Sequence, residues 1–269
     1  MKKTFYILCC SAVLWGSCKT DNYPAPKEAI KGAITDVLTG DTVWTDQGSE
    51  GIRVRLRELS WKATKVPKPF DFYCMKEGIY QNTKVFEGHY NVRVDGAFIP
   101  LVRTGPKGDT LANGDASKYI DIKGVTVCNF QVQPFLKVEW AGAPTVTNGT
   151  ITASVKVTRA VSRDDFKAKI EPMGSYNDNM LNVTDIRLFV SQVPYVGYRE
   201  KDDRYSQEIA YNGNEFEAKL GQPVAIVSRG TIPAGYIVFI RAAARINYRT
   251  EGHARYNYNK AVRVNIPKK

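Results

Sequence analysis

The sequence predicts an all-β protein: two tandem β-sandwiches behind an export signal and a short tether. Three observations lead there. The chain opens with Lys2-Lys3, an apolar run from Phe5 to Trp15, and small residues Gly16-Ser17 before Cys18. From Ile30 onward, apolar and polar residues alternate with period two in one short segment after another, separated by glycine, proline and asparagine. A single stretch, around Asp165 to Ile170, reads as a helix, and it breaks at Pro172 and Gly174.

The basic end, short apolar core and small residues of the opening segment make a secretory signal. Its apolar run is too short to span a bilayer permanently. With Cys18 directly after Gly16-Ser17 the segment resembles a bacterial lipobox, with Trp15 where that pattern usually has Leu. The resemblance implies that residues 1–17 are removed and that Cys18 carries diacylglycerol. Several acyl chains at one site give stable anchoring, so the expected partner is a membrane reached through lipid. Attachment to the outer membrane is expected, facing the cell surface rather than the periplasm; Asp21 is the acidic residue near the anchor. Residues 18–28 contain Pro24 and Pro26 and read as an extended tether of roughly 30 Å.

At 43% hydrophobic and 24% charged residues the chain is in the globular range, which excludes disorder. Its net charge of +11 favours acidic partners such as anionic polysaccharide, and export excludes nucleic acid. A solvated basic surface with no dedicated ligand is the alternative. Cys9 and Cys10 leave with the signal, so Cys74 and Cys128 remain where disulfides are permitted. Both are expected to point inward, either as buried thiols or as a bridge, and the sequence leaves the two open.

The first sandwich is expected over residues 29–134. Ile30 to Ile34 is a strand that turns at Leu38-Thr39-Gly40-Asp41. Ile52, Val54 and Leu56 then alternate with Arg53, Arg55 and Arg57, so one face is buried and the other carries an arginine row. That row is either an anion-binding ladder or the wet face of an outer strand. Strands follow at Phe70 to Met75, Ile79-Tyr80, Val85 to Val92, Tyr119 to Ile122 and Val125 to Val132. Glu77-Gly78-Ile79-Tyr80 with Val85-Phe86-Glu87-Gly88-His89-Tyr90 resembles the Asp-Gly-x-Phe … Leu-x-x-Gly-x-Tyr pattern of carboxypeptidase regulatory-like domains. Lys123 to Phe130 is similar to their closing turn and strand. The resemblance implies a transthyretin-like sandwich without catalytic function.

The second sandwich is expected over residues 135–269. Leu136, Val138 and Trp140 alternate with Lys137 and Glu139, which places Trp140 with the core. Ile151, Ala153, Val155 and Val157 continue the pattern, as does Ile186 to Ser191. Val224 to Val227, the Pro233-Ala234-Gly235-Tyr236 turn with its apolar strand to Phe239, and Ala261 to Ile266 resemble the last strands of a fibronectin type III or Ig-like sandwich.

Across the mature chain, Glu58-Leu59-Ser60-Trp61, Tyr80 to Lys84, Phe135 to Trp140, Pro194 to Gly197 and Asp203 to Ser206 carry a wider resemblance. The chain is similar to the Bacteroidetes lipoproteins of domain-of-unknown-function family 3823. That implies an accessory role beside an outer-membrane transporter complex for glycan uptake of the starch-utilisation type. It supplies no catalytic or binding residues.

No catalytic motif stands out: His89 and His253 are the two histidines, and no nucleophile elbow, zinc motif or phosphate-binding loop occurs. No enzyme activity and no cofactor or metal is expected; acidic pairs such as Asp164-Asp165 read as turns. Two non-enzymatic readings remain, a glycan-binding or scaffold lipoprotein and a fimbrillin-like structural subunit. Carbohydrate contact is expected from loop aromatics with basic neighbours, namely Trp61, Tyr195, Tyr198 and Tyr205 with Arg204. Asp41-Thr42-Val43 and Asp109-Thr110-Leu111 resemble Bacteroidetes O-glycosylation sites, which implies modification at Thr42 and Thr110.

Overall fold

A computed structural model describes residues 25–60 and 67–268. The signal, Cys18, most of the tether and Trp61 lie outside the described residues. Within them the expected all-β class is found, with one α-helix.

The first half contributes β1 (Glu28–Asp36), β2 (Arg53–Glu58), β3 (Phe70–Tyr73), β4 (Ile79–Val85), β5 (Gly88–Asp95), β6 (Val102–Thr104), β7 (Thr110–Asp115), β8 (Lys118–Ile122), β9 (Val125–Val127) and β10 (Phe130–Val132). β1 runs antiparallel to β4 and parallel to β9 and β10. A second sheet has the order β3-β2-β5-β8, and β6 with β7 forms a separate hairpin. Period-two patterning sets the layers. Val54, Leu56, Val92 and Val94 turn inward to meet Ile30, Tyr80 and Phe130 in one core. Arg53, Arg55 and Arg57 consequently line the opposite face of β2. The turn into β4 needs glycine: Gly78 has φ +74°, and a Cβ there would lie 2.3 Å from the Val43 carbonyl oxygen.

The second half contributes β11 (Leu136–Trp140), β12 (Thr145–Thr147), β13 (Thr150–Arg159), α1 (Arg163–Ile170), β14 (Val183–Ser191), β15 (Gln207–Ala210), β16 (Pro223–Val227), β17 (Ile237–Ile246), β18 (Asn257–Tyr258) and β19 (Val262–Asn265). β11, β12 and β16 pair with β13, while β14, β18 and β19 pair with β17. Val138, Val155, Val157, Leu188 and Ile240 share the core that these sheets enclose. Ser162 caps α1 by accepting the Asp165 N–H at 3.0 Å, and Asp164 and Asp165 suit its first turn.

The strand after Pro233-Ala234-Gly235-Tyr236 differs from its expected extent. β17 continues past Phe239 to Ile246 and so carries Arg241 into the interior, where it is fully buried. The charge is tolerated because partners surround it. Its Nε donates to the Asn259 carbonyl and a terminal nitrogen to the Thr45 carbonyl, each at 2.8 Å. The guanidinium also lies 4.5 Å from the Tyr258 ring centre. Burial pulls its pKa down to about 10. Arg255 likewise donates to the carbonyls of Gly51 and Asp95, at 2.9 and 2.5 Å. Two buried arginines of the second half thus satisfy backbone carbonyls of the first. Phe189, Tyr256 and Tyr258 form a third cluster there, with Trp44 and Tyr198 packed against it.

Cys74 and Cys128 are both buried and both free, so the bridge entertained from the sequence is not formed. Cys74 follows β3 in one sheet and Cys128 lies between β9 and β10 beside the other. Each fills its own layer of the core as a small apolar group. Burial pushes both thiols above the ordinary range.

Candidate functional site

β11 is an edge strand, paired with β13 on one side only. Beside it lies a cleft of about 610 Å³, bounded by the segment leaving β1 and by the Asn257 to Lys260 segment. That volume suits a ligand site rather than a packing defect.

Two indoles, Trp44 and Trp140, line the cleft, and both are half-buried. Trp140 ends β11 and packs against the second core while staying half-buried, so it is less enclosed than the alternation predicts. Its Nε1 donates to the Lys260 carbonyl at 3.0 Å, which sets the orientation of the ring. Trp44 leans on the third cluster, 5.9 Å from the Arg241 guanidinium.

Polar groups surround the indoles. Asp36, Asp41, Glu139, Lys137 and Lys260 contribute three carboxylates against two ammonium groups, so the basic surplus of the chain is absent here. Lys137 Nζ meets Glu139 at 2.9 Å. Their hydrogen bond lowers the carboxyl pKa and raises that of the ammonium. Asn259 is buried, and its side-chain oxygen accepts the Ala242 N–H at 2.9 Å. Its amide NH2 is buried without an acceptor. Rings, carboxylates and an amide lacking an acceptor are the equipment for holding a hydroxyl-rich ligand. Among the described residues, no three His, Cys, Asp or Glu side chains gather as a metal site.

Among the described residues, Tyr195, Tyr198 and Tyr205 are not all presented as open ring faces. Tyr205 is 8% exposed and belongs to the second core, so it presents no ring face to a ligand. Tyr198 stacks on Tyr256 with ring centres 6.0 Å apart and closes the third cluster. Tyr195 is exposed, with Lys76 Nζ 4.8 Å from its ring centre. Arg204 is exposed but spent on Asp202, which it meets through two hydrogen bonds at 3.0 and 2.7 Å. Trp61 lies outside the described residues. Of the two threonines, Thr110 is exposed at the start of β7, whereas Thr42 is half-buried and lines the cleft. Sequence reasoning missed Trp44, Asn257 and Asn259. The alternation of Asn257 and Asn259 across Tyr258 was the signal available, and it is weak.

Neither protein-family models nor curated proteins match this chain. Solved structures do. A DUF3823 family protein from Bacteroides uniformis is 53% identical, covers 91% of this chain and all of its own, and has a TM-score of 0.86. A second protein from B. uniformis, provisionally described as carbohydrate binding, is 19% identical, with 90% and 100% coverage and a TM-score of 0.63. A DUF3823 family protein from Parabacteroides merdae is 16% identical, with the same coverage and a TM-score of 0.56. The last two are alike in fold alone.

Proposed function

The chain belongs to the DUF3823 family, and from that premise we propose that it is a non-catalytic, lipid-anchored surface protein that binds carbohydrate in the cleft lined by Trp44 and Trp140. The observation that carries the reading is the pair of half-buried indoles in one cleft whose lining includes the Asn259 amide NH2 without an acceptor. Sugar rings pack their C–H faces on such rings, and Asp36, Asp41 and Asn259 meet the hydroxyls. With carboxylates outnumbering ammonium groups, the ligand is a neutral glycan. The provisional carbohydrate-binding description of a fold neighbour supports the same reading. Held at the outer membrane by Cys18, the protein would pass captured glycan to a transporter complex.

Titration of the purified full chain with a panel of neutral and acidic oligosaccharides tests this. Binding of a neutral member, weakened about tenfold or more by Trp44→Ala or Trp140→Ala in folded protein, is the expected result. Binding unchanged in both variants, or none across the panel, rejects the site.

A further inference from the structure

The arginine row of β2 is not simply a wet face. Across the sheet, Arg55 stands opposite Arg93 of β5, and Arg57 opposite Asn91. Asn91 in turn stands opposite Tyr119 of β8. Like charges facing each other across strands repel unless something neutralises them. Most of this charge is matched. Asp71 takes Arg55 through two bonds of 2.7 Å, Asp95 takes Arg53 at 2.7 Å, and Glu251 takes Arg93 at 3.2 Å. Arg57 has no carboxylate partner among the described residues.

The β6–β7 hairpin lies over this face and encloses a pocket of about 170 Å³ between itself and the arginines. Arg57 and Arg93 both line the pocket, and each has an Nε–H buried without a hydrogen-bond acceptor, although Arg93 Nε has the Asp95 carboxylate 3.8 Å away. A buried donor that has lost its water and found no acceptor is unfavourable, and Arg57, which also has no carboxylate partner among the described residues, points to a missing acceptor in this pocket. Asp115 also lines the pocket, but its Oδ1 already accepts from the Ser117 N–H at 2.9 Å and from Ser117 Oγ at 2.5 Å. Its Oδ2 receives the Tyr119 hydroxyl at 3.5 Å, a long contact that leaves it able to accept from a ligand hydroxyl as well. Tyr119, 59% exposed, stands at the mouth.

We infer that this pocket is a second ligand site, separate from the cleft, which takes the carboxylate of a sugar acid. The carboxylate accepts from Arg57 and Arg93, a hydroxyl of the ring donates to Asp115, and the ring lies on Tyr119. Guanidinium donors suit a planar carboxylate. With a liquid water occupying about 30 Å³, the space holds one acidic group and part of its ring, not an oligosaccharide. The inference does not rest on the reading given for the cleft.

The test is calorimetric titration of the purified full chain with galacturonate and glucuronate at low ionic strength, against their methyl esters and inorganic sulfate. The acids should bind, the esters should not, and added salt should weaken the complex. Arg57→Gln should lower affinity about tenfold or more without lowering the melting temperature, because it removes an unmatched charge. Arg57→Lys keeps the charge and loses the planar donor, and should also weaken binding. Trp140→Ala should leave uronate binding intact, which separates this site from the cleft. Four results overturn the inference: no uronate binding by folded wild type, equal binding of the esters, wild-type affinity in Arg57→Gln, or sulfate binding as tightly as the sugar acids.

Discussion

Replacing Arg241 by methionine tests how the two halves are joined. The substitution keeps much of the stem volume and removes the charge together with its donors. Two good hydrogen bonds are lost, to the carbonyls of Asn259 and Thr45 at 2.8 Å each; the contact with the Lys76 carbonyl at 3.5 Å counts for little. Hydrogen bonds from a charged donor contribute about 1.5–3 kcal/mol each, and both carbonyls are left without this donor. Loss of the ring contact with Tyr258 adds about 1–2 kcal/mol. Against this, the methionine variant no longer dehydrates a guanidinium, which returns several kcal/mol. The net expectation is a loss of about 3 kcal/mol. For a chain of this size each kcal/mol lowers Tm by about 2–4 °C, so calorimetry should register a drop of about 6–12 °C. Thr45 belongs to the first half and Arg241 to the second, so the halves should also begin to melt separately. Arg241→Lys should not rescue, because one ammonium group cannot reproduce the planar fork. A single transition within about 1 kcal/mol of wild type would refute the reasoning and mean that the other contacts, those of Arg255 included, join the halves without Arg241.

Alkaline pH should unfold the protein through its tyrosines. Burial pushes Tyr90 and Tyr248 up to about 12 and Tyr258 well above its ordinary range. The unfolded chain therefore releases these protons first, and the stability they confer is complete below about pH 10 and lost as pH rises toward 12. Arg241, lowered to about 10, acts in the opposite sense over that window, as do Arg159 and Arg255, both also lowered by burial, but the tyrosines pushed upward outnumber them. Phenolate absorbance should lag behind pH and appear with unfolding; free titration of all tyrosines near pH 10 in folded protein contradicts this. Cys74 and Cys128 should resist a thiol reagent in the folded state and both react after denaturation without reductant, and silence after denaturation would indicate a bridge. Cys18→Ala should abolish fatty-acid labelling and release the protein from membranes, whereas equal labelling would dismiss the anchor. An intact mass in excess of the lipidated chain should trace to Thr110 rather than Thr42, because Thr110 is the exposed one.

Strand positions and faces were legible in the sequence because a buried face imposes period two on nearest neighbours in the chain. Ile52, Val54, Leu56, Tyr90 and Val92 turn inward as their spacing requires, and Gly78 sits where the turn demands positive φ. The short helix ending before Pro172 was equally plain. The expected export signal with Cys18 lies outside the described residues and rests on its local pattern alone. The candidate sites were not local. Tyr205 sits in a polar, loop-like stretch, yet tertiary packing buries it. Trp140 alternates with core residues, yet the strand edge leaves its ring half-exposed. Trp44, Trp140 and Asn259 meet across more than 200 residues of chain, and Arg241 becomes a joint only because the Thr45 carbonyl arrives opposite it. Short-range periodicity records which side of a strand is dry. Which edges stay open, and which distant groups share them, depends on how two sets of sheets pack, and no spacing within either set encodes that.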